Sequence, residues 1–124
     1  MDKVEVVAKE VLNAAFDLHK ALGPGLLESA YQSCLYADLL EKGLIVQKEK
    51  ALPIEYNGLK IEQGYRIDLL VENCLVVELK AVETLMDKHV AQVLTYLRLG
   101  NYKLGLLLNF NERLLKDGIR RVIN

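Results

Sequence analysis

Val4, Val7, Val11, Ala14, Leu18 and Leu22 recur every three or four residues, the spacing of a helix with one buried face. Asp2 can cap its start, with Glu5 completing a capping box. His19 and Lys20 suit the negative end of its dipole. Gly23-Pro24-Gly25 stops this helix, and a second runs from about Leu26 to Lys42, closed by Gly43. Strand patterns follow: "LIVQKEK", a hairpin "LPIEYNGLKIEQ" turning at Asn57-Gly58, then "GYRIDLLV" and "CLVVELKAV". Asp87 can cap a third helix ending at Gly100. "YKLGLLLNF" is nearly unbroken in apolar residues and suits a strand buried on both faces; "GIRRVIN" adds an edge strand.

These elements predict an α/β sandwich with a mixed central sheet flanked by helices, in the order α-α-β-β-β-β-α-β-β. The helix at 87–100 is expected to cross over right-handedly and leave strand 102–110 parallel to strand 74–82.

Alternation along two of the strands sets charge where a core would prefer valine. In "CLVVELKAV", Leu75, Val77, Leu79 and Ala81 share an apolar face, and Val76, Glu78 and Lys80 share the other. In "YRIDLLV", Arg66, Asp68 and Leu70 lie opposite Tyr65, Ile67, Leu69 and Val71. A two-residue turn at Glu72-Asn73 would send Asp68 and Glu78 to opposite faces. A connection of three or five residues sets them directly across from each other, about 5 Å apart. Like charges so placed repel unless they are solvated or share a cation. The odd-length connection is predicted. On a bland reading these residues line a wet sheet face, with Lys80 neutralising the acids. Against it, Val76 and Leu70 share that face and call for a cover.

The helices add further polar positions. Glu28, Tyr31, Leu35 and Leu39 fall within a narrow arc of the second helix. Glu28 either stabilises the helix dipole from solvent or accompanies its apolar neighbours toward the sheet. In the third helix Val90, Val93, Leu94 and Leu97 form the core stripe. Gln92 and Tyr96 run along its edge, with His89 in line, as at any boundary between buried and wet.

Composition narrows the function classes. At 124 residues the chain reads as one domain, 1–124, which can bury about two-thirds of its unfolded surface. Sixteen basic and 17 acidic residues give a net charge of −1, which argues against tight non-specific grip on nucleic acid through charge alone. A local basic rim stays open. The apolar run Leu104 to Phe110 is far shorter than the ~20 residues of a membrane span. "MDKVEVVAKEVL" has no signal-peptide core. A soluble, cytoplasmic protein with no membrane partner is expected. Cys34 and Cys74 form no CxxC pair or cysteine cluster, so no zinc or iron–sulfur site is expected, and Cys34 reads as core packing.

Together these pieces resemble the PD-(D/E)XK nuclease-like superfamily and, more narrowly, its small GxxExxY family, from about Val6 to Ile123. Gly25, Glu28 and Tyr31 in "GLLESAY" match the naming motif. Asp68 in "YRIDLLV" matches the first acidic position; Glu78 and Lys80 in "ELK" match the second acid and the lysine. Gln92 and Tyr96 in "QVLTY" match the QxxxY helix motif of the branch that includes recombination-repair exonucleases. Each motif is weak alone; their order and spacing together are specific. Ile67 stands where the superfamily's name has Pro, at a position that varies widely.

The resemblance implies a restriction-endonuclease-like fold and hydrolysis of phosphodiester bonds in DNA, with RNA as the second substrate class. It implies Mg²⁺ or Mn²⁺ held by Asp68, Glu78, the backbone carbonyl of Leu79 and Glu28. Lys80 would orient the attacking water or stabilise charge, and Gln92, Tyr96 and Tyr31 would position substrate or water. Two other readings stand beside it. One is a catalytically silent nuclease fold kept as a binding or assembly module. The other is a structural oligomer, such as a homodimer, whose Leu/Val-rich edge strands pair between subunits.

Overall fold

A computed structural model describes residues 2–62 and 64–124; Met1, and Gln63 at the end of the expected hairpin segment, lie outside the described residues. Three helices, α1 (Lys3–Leu22), α2 (Glu28–Glu41) and α3 (Asp87–Gly100), accompany seven strands. The strands are β1 (Val46–Ala51), β2 (Ile54–Tyr56), β3 (Leu59–Ile61), β4 (Arg66–Val71), β5 (Leu75–Lys80), β6 (Leu104–Asn109) and β7 (Ile119–Ile123). The central sheet runs β1-β4-β5-β6-β7, antiparallel except for the β5–β6 pair that α3 connects. The mixed sheet flanked by helices and the parallel pair are as the sequence predicts.

Five strands precede α3, one for each strand pattern in the sequence and one more than the element order above contains. The hairpin at Asn57-Gly58 forms its own two-stranded sheet, with both turn residues at positive φ. That geometry is the one favoured between two twisted antiparallel strands.

Two cores sandwich the sheet. On one face, Val7, Val11, Leu18, Tyr31, Leu35 and Leu39 of α1 and α2 pack on Leu69, Leu75, Val77, Leu79, Leu106 and Leu108. On the other, Val93, Tyr96 and Leu97 of α3 pack on Leu70, Val76, Leu107 and Val122. Leu104 to Phe110 is buried throughout, as a central strand covered on both sides requires. Gly105 permits that cover: a Cβ there would lie 2.6 Å from Val93 Cγ1.

The helix ends depart from expectation in detail. Asp2 caps α1 through its backbone alone, its carbonyl accepting from the Glu5 and Val6 amides. No capping box forms, because the Glu5 carboxylate is held by Arg121 at 2.8 Å. The buried stripe ends at Leu18 and His19, leaving Leu22 43 % exposed. His19 contributes more than a charge near the dipole: its Nε2 lies 2.8 Å from the Glu112 carbonyl oxygen and its ring stands beside Phe110. Helix α3 already includes Asp87, so its N-cap is Met86, whose amide donates to His89 Nδ1 at 2.9 Å.

Candidate active site

The β4–β5 connection has three residues, Glu72 to Cys74, with Glu72 and Asn73 at positive φ. Its register, Val71↔Leu75, Leu70↔Val76 and Leu69↔Val77, carries Asp68 directly across from Glu78. The two acids meet as predicted, and they change the sheet where they meet. Glu78 Oε2 accepts from the Asp68 amide at 2.6 Å, and Asp68 Oδ2 accepts from the Leu79 amide at 2.9 Å. Carboxylates thus take the place of ladder bonds. On the other side of β4 the ladder also breaks: Lys48 pairs with Leu69 and Lys50 with Ile67, while Glu49 between them sits at φ 53°. Ile67 joins the α3-side core, although strict alternation would send it to the face of Leu69.

Burial makes this pair of charges costly. It raises the Asp68 carboxyl to about 6, against the pull of the Leu79 amide; Glu28 and Glu49 push the same way as burial, and Lys80 opposes. Glu78, 3 % exposed, is driven up to about 9 by burial and then by the Asp68 charge, with the Asp68 amide and Lys80 opposing and Glu28 adding. Two adjacent acids each resisting ionisation are a common mark of functional sites.

Lys80 lies on the same side of β5 as Glu78, under α3. Its Nζ donates to Gln92 Oε1 at 3.1 Å, and Gln92 Nε2 donates to the Tyr96 hydroxyl oxygen at 3.1 Å. At Lys80 the helix thus meets that otherwise apolar face with polar side chains. Tyr96, expected at the edge, is only 4 % exposed, and burial followed by the charges of Glu78 and Asp68 raises its hydroxyl pKa.

One expected site residue, Tyr31, falls elsewhere, and Glu28 stands at the start of α2. Tyr31 is fully buried and stacked on Phe110 at 4.7 Å. Its hydroxyl donates to the Gly23 carbonyl and accepts from the Leu26 amide, so it shapes the loop before α2 from a position closed to solvent. Glu28, half-buried at the start of α2, acts on both Asp68 and Glu78 through its charge. Among the described residues no group of three or more His, Cys, Asp or Glu side chains is placed to hold a metal ion. The carboxylates repel one another, and the two on the sheet are tied to backbone amides.

The remaining donors nevertheless suit a hard divalent cation. The second oxygen of Asp68 and of Glu78 takes no hydrogen bond from the described residues. Leu79 turns its amide toward β4, and in an extended strand its carbonyl points the same way. Mg²⁺ characteristically takes one or two carboxylates and completes its shell with water and phosphate.

Sequence reading missed Asn109. It is fully buried beside Lys80 in the β5–β6 register. Its side chain accepts from the Val82 and Asn111 amides and donates to the Val82 carbonyl, fixing the chain as it leaves β5. Its signal was visible: it is the lone polar residue between Leu104 and Phe110.

A three-layer α/β/α protein with a carboxylate pair and a lysine on strands at its centre is thereby defined. Residues 5–122 match the PD-(D/E)XK nuclease superfamily, and the chain belongs to it. The mixed five-stranded sheet and three helices are its restriction-endonuclease-like α/β fold, and its members are typically nucleases. Among curated proteins none matches. One solved structure, described as the crystal structure of SSO0001, is similar at 18 % identity and a TM-score of 0.46, covering 96 % of this chain and 78 % of its own. No helix among the described residues is long and apolar enough to cross a membrane.

Proposed function

We propose that this protein is a divalent-metal-dependent nuclease that hydrolyses phosphodiester bonds of DNA, with RNA as the second substrate class. The observation that carries the reading is the Asp68–Glu78 pair, opposite each other and reluctant to ionise, with Lys80 one step along the same face. Asp68, Glu78 and the Leu79 carbonyl would hold Mg²⁺ or Mn²⁺, with Glu28 close enough to act through charge. Such an ion supplies Lewis acidity and a more acidic water. The chain's own residues do the rest. Lys80, steadied by Gln92 and Tyr96, presents an ammonium donor to the attacking water or to phosphate oxygen. Gly25, Glu28 and Tyr31 support placement in the GxxExxY branch.

The test is hydrolysis of single-stranded, double-stranded and structured DNA and RNA with Mg²⁺ or Mn²⁺. Wild type is expected to cut at least one, and Glu78→Ala and Lys80→Ala to cut it about a hundredfold or more slowly. Equal behaviour of all three proteins on every substrate removes the enzyme reading.

The net charge of −1 favours a second reading, a nuclease fold that binds or assembles without cutting. Calorimetry separates the two, because a silent module has no need to bind Mg²⁺, whereas the nuclease binds it through Asp68 and Glu78.

A further inference from the structure

Three residues before Gln92 on α3 stands His89, half-buried. His89, Gln92 and Tyr96 follow one another at i, i+3 and i+7, one stripe of the helix. Gln92 is bonded to Lys80, so the stripe borders the carboxylate pair. His89 lies within the same electrostatic field: burial and then the charges of Lys80 and Lys88 lower its pKa, while Glu28 opposes.

Its ring is oriented by the backbone. Nδ1 accepts the Met86 amide at 2.9 Å and cannot carry the proton while it does so. The neutral ring therefore bears its proton on Nε2, which takes no partner among the described residues. A donor with a fixed tautomer, within the field of Lys80 and on the helix stripe of Gln92, suits an anionic oxygen.

We infer that His89 is a phosphate-contacting residue, its Nε2–H donating to a non-bridging oxygen of the substrate strand held at the Asp68–Glu78–Lys80 site. This rests on the nuclease reading and adds a binding group to it. The competing account makes His89 only the cap of α3. The two separate because an N3 glutamine or glutamate also accepts the N-cap amide. His89→Gln keeps the cap and offers an outward N–H; His89→Glu keeps the cap and turns a negative charge toward phosphate.

The experiment uses a fluorescein-labelled DNA oligonucleotide, single-stranded and annealed. Cleavage is measured with Mg²⁺ or Mn²⁺, and binding by anisotropy in EDTA, where nothing is cut. Thermal midpoints are recorded for each protein. The expected result is a KM raised about tenfold or more and weaker binding for His89→Glu, with His89→Gln close to wild type and both midpoints preserved. If the two variants match each other in KM and affinity, the phosphate contact is overturned and the cap alone remains. A wild type that cuts nothing fails the nuclease reading itself, and this inference with it.

Discussion

The amide of Asp68 donates to the carboxylate of Glu78, the residue directly across from it on β5. Asp68 returns the interaction one residue further along, accepting from Leu79. Each acid thus holds the other's strand, and neither is free to ionise at its ordinary pH.

That coupling fixes the sign of a pH dependence. Both carboxyls titrate higher in the folded protein, at about 6 and about 9, than their ordinary values of 3.8 and 4.5. As pH rises past 4 the unfolded chain loses these protons first, so the native state is the one binding more of them. Their contribution to stability is whole below pH 4, falls as Asp68 ionises toward 6 and is gone above 9. Melting of metal-free wild type against Asp68→Asn and Glu78→Gln isolates it. The wild type is expected to lose stability relative to both variants between pH 4 and 9, and Mg²⁺ to restore more of it at the alkaline end. A difference that is flat with pH refutes the account.

The hydrogen bonds that run from Lys80 to Gln92 and on to Tyr96 set a graded order of kinetic effects. Removing the ammonium in Lys80→Met should lower kcat by about a hundredfold or more. Gln92→Ala removes only the hydrogen bond that steadies it and should cost about fivefold, the worth of one such bond. Tyr96→Phe deletes the far end and should cost less still. Single-turnover rates check the ranking; Gln92→Ala as damaging as Lys80→Met would give the amide a direct part in the chemistry.

Tyr31→Phe tests a structural assignment. The substitution strands the Gly23 carbonyl and the Leu26 amide while leaving the stacking on Phe110 intact. Urea unfolding should show a loss of about 1–3 kcal/mol. Activity per folded molecule should stay near wild type, since the hydroxyl faces the loop and not the site. Lost activity with unchanged stability would return Tyr31 to the substrate.

Gly105→Ala probes how closely α3 must approach the sheet. The added methyl would meet Val93 at 2.6 Å and Leu97 at 3.4 Å, and a β-branched valine in a packed core has little room to yield. A destabilisation of about 1–3 kcal/mol is expected. Because α3 also carries Gln92 and Tyr96, kcat should fall together with the urea midpoint. An alanine variant with wild-type stability would show that the layer can shift freely.

Much of this was open to reading from the chain itself. Periodicities of two and of three to four marked every major element, and the buried run at 104–110 announced a central strand. The odd connection at Glu72 to Cys74 followed from asking where Asp68 and Glu78 must point. These are local properties: a strand's alternation and a turn's length decide which residues share a face without reference to the rest of the molecule. Tertiary structure alone decided the rest. Tyr31 shares a helix face with Glu28, but only the packed loop at Gly23–Leu26 claims its hydroxyl. Glu28 acts on the pair through its charge, a proximity that the packing of α2 on the sheet creates and the sequence does not display. The carboxylates' preference for backbone amides, and the costly acidity it leaves them, arise from burial, which no one-dimensional pattern measures.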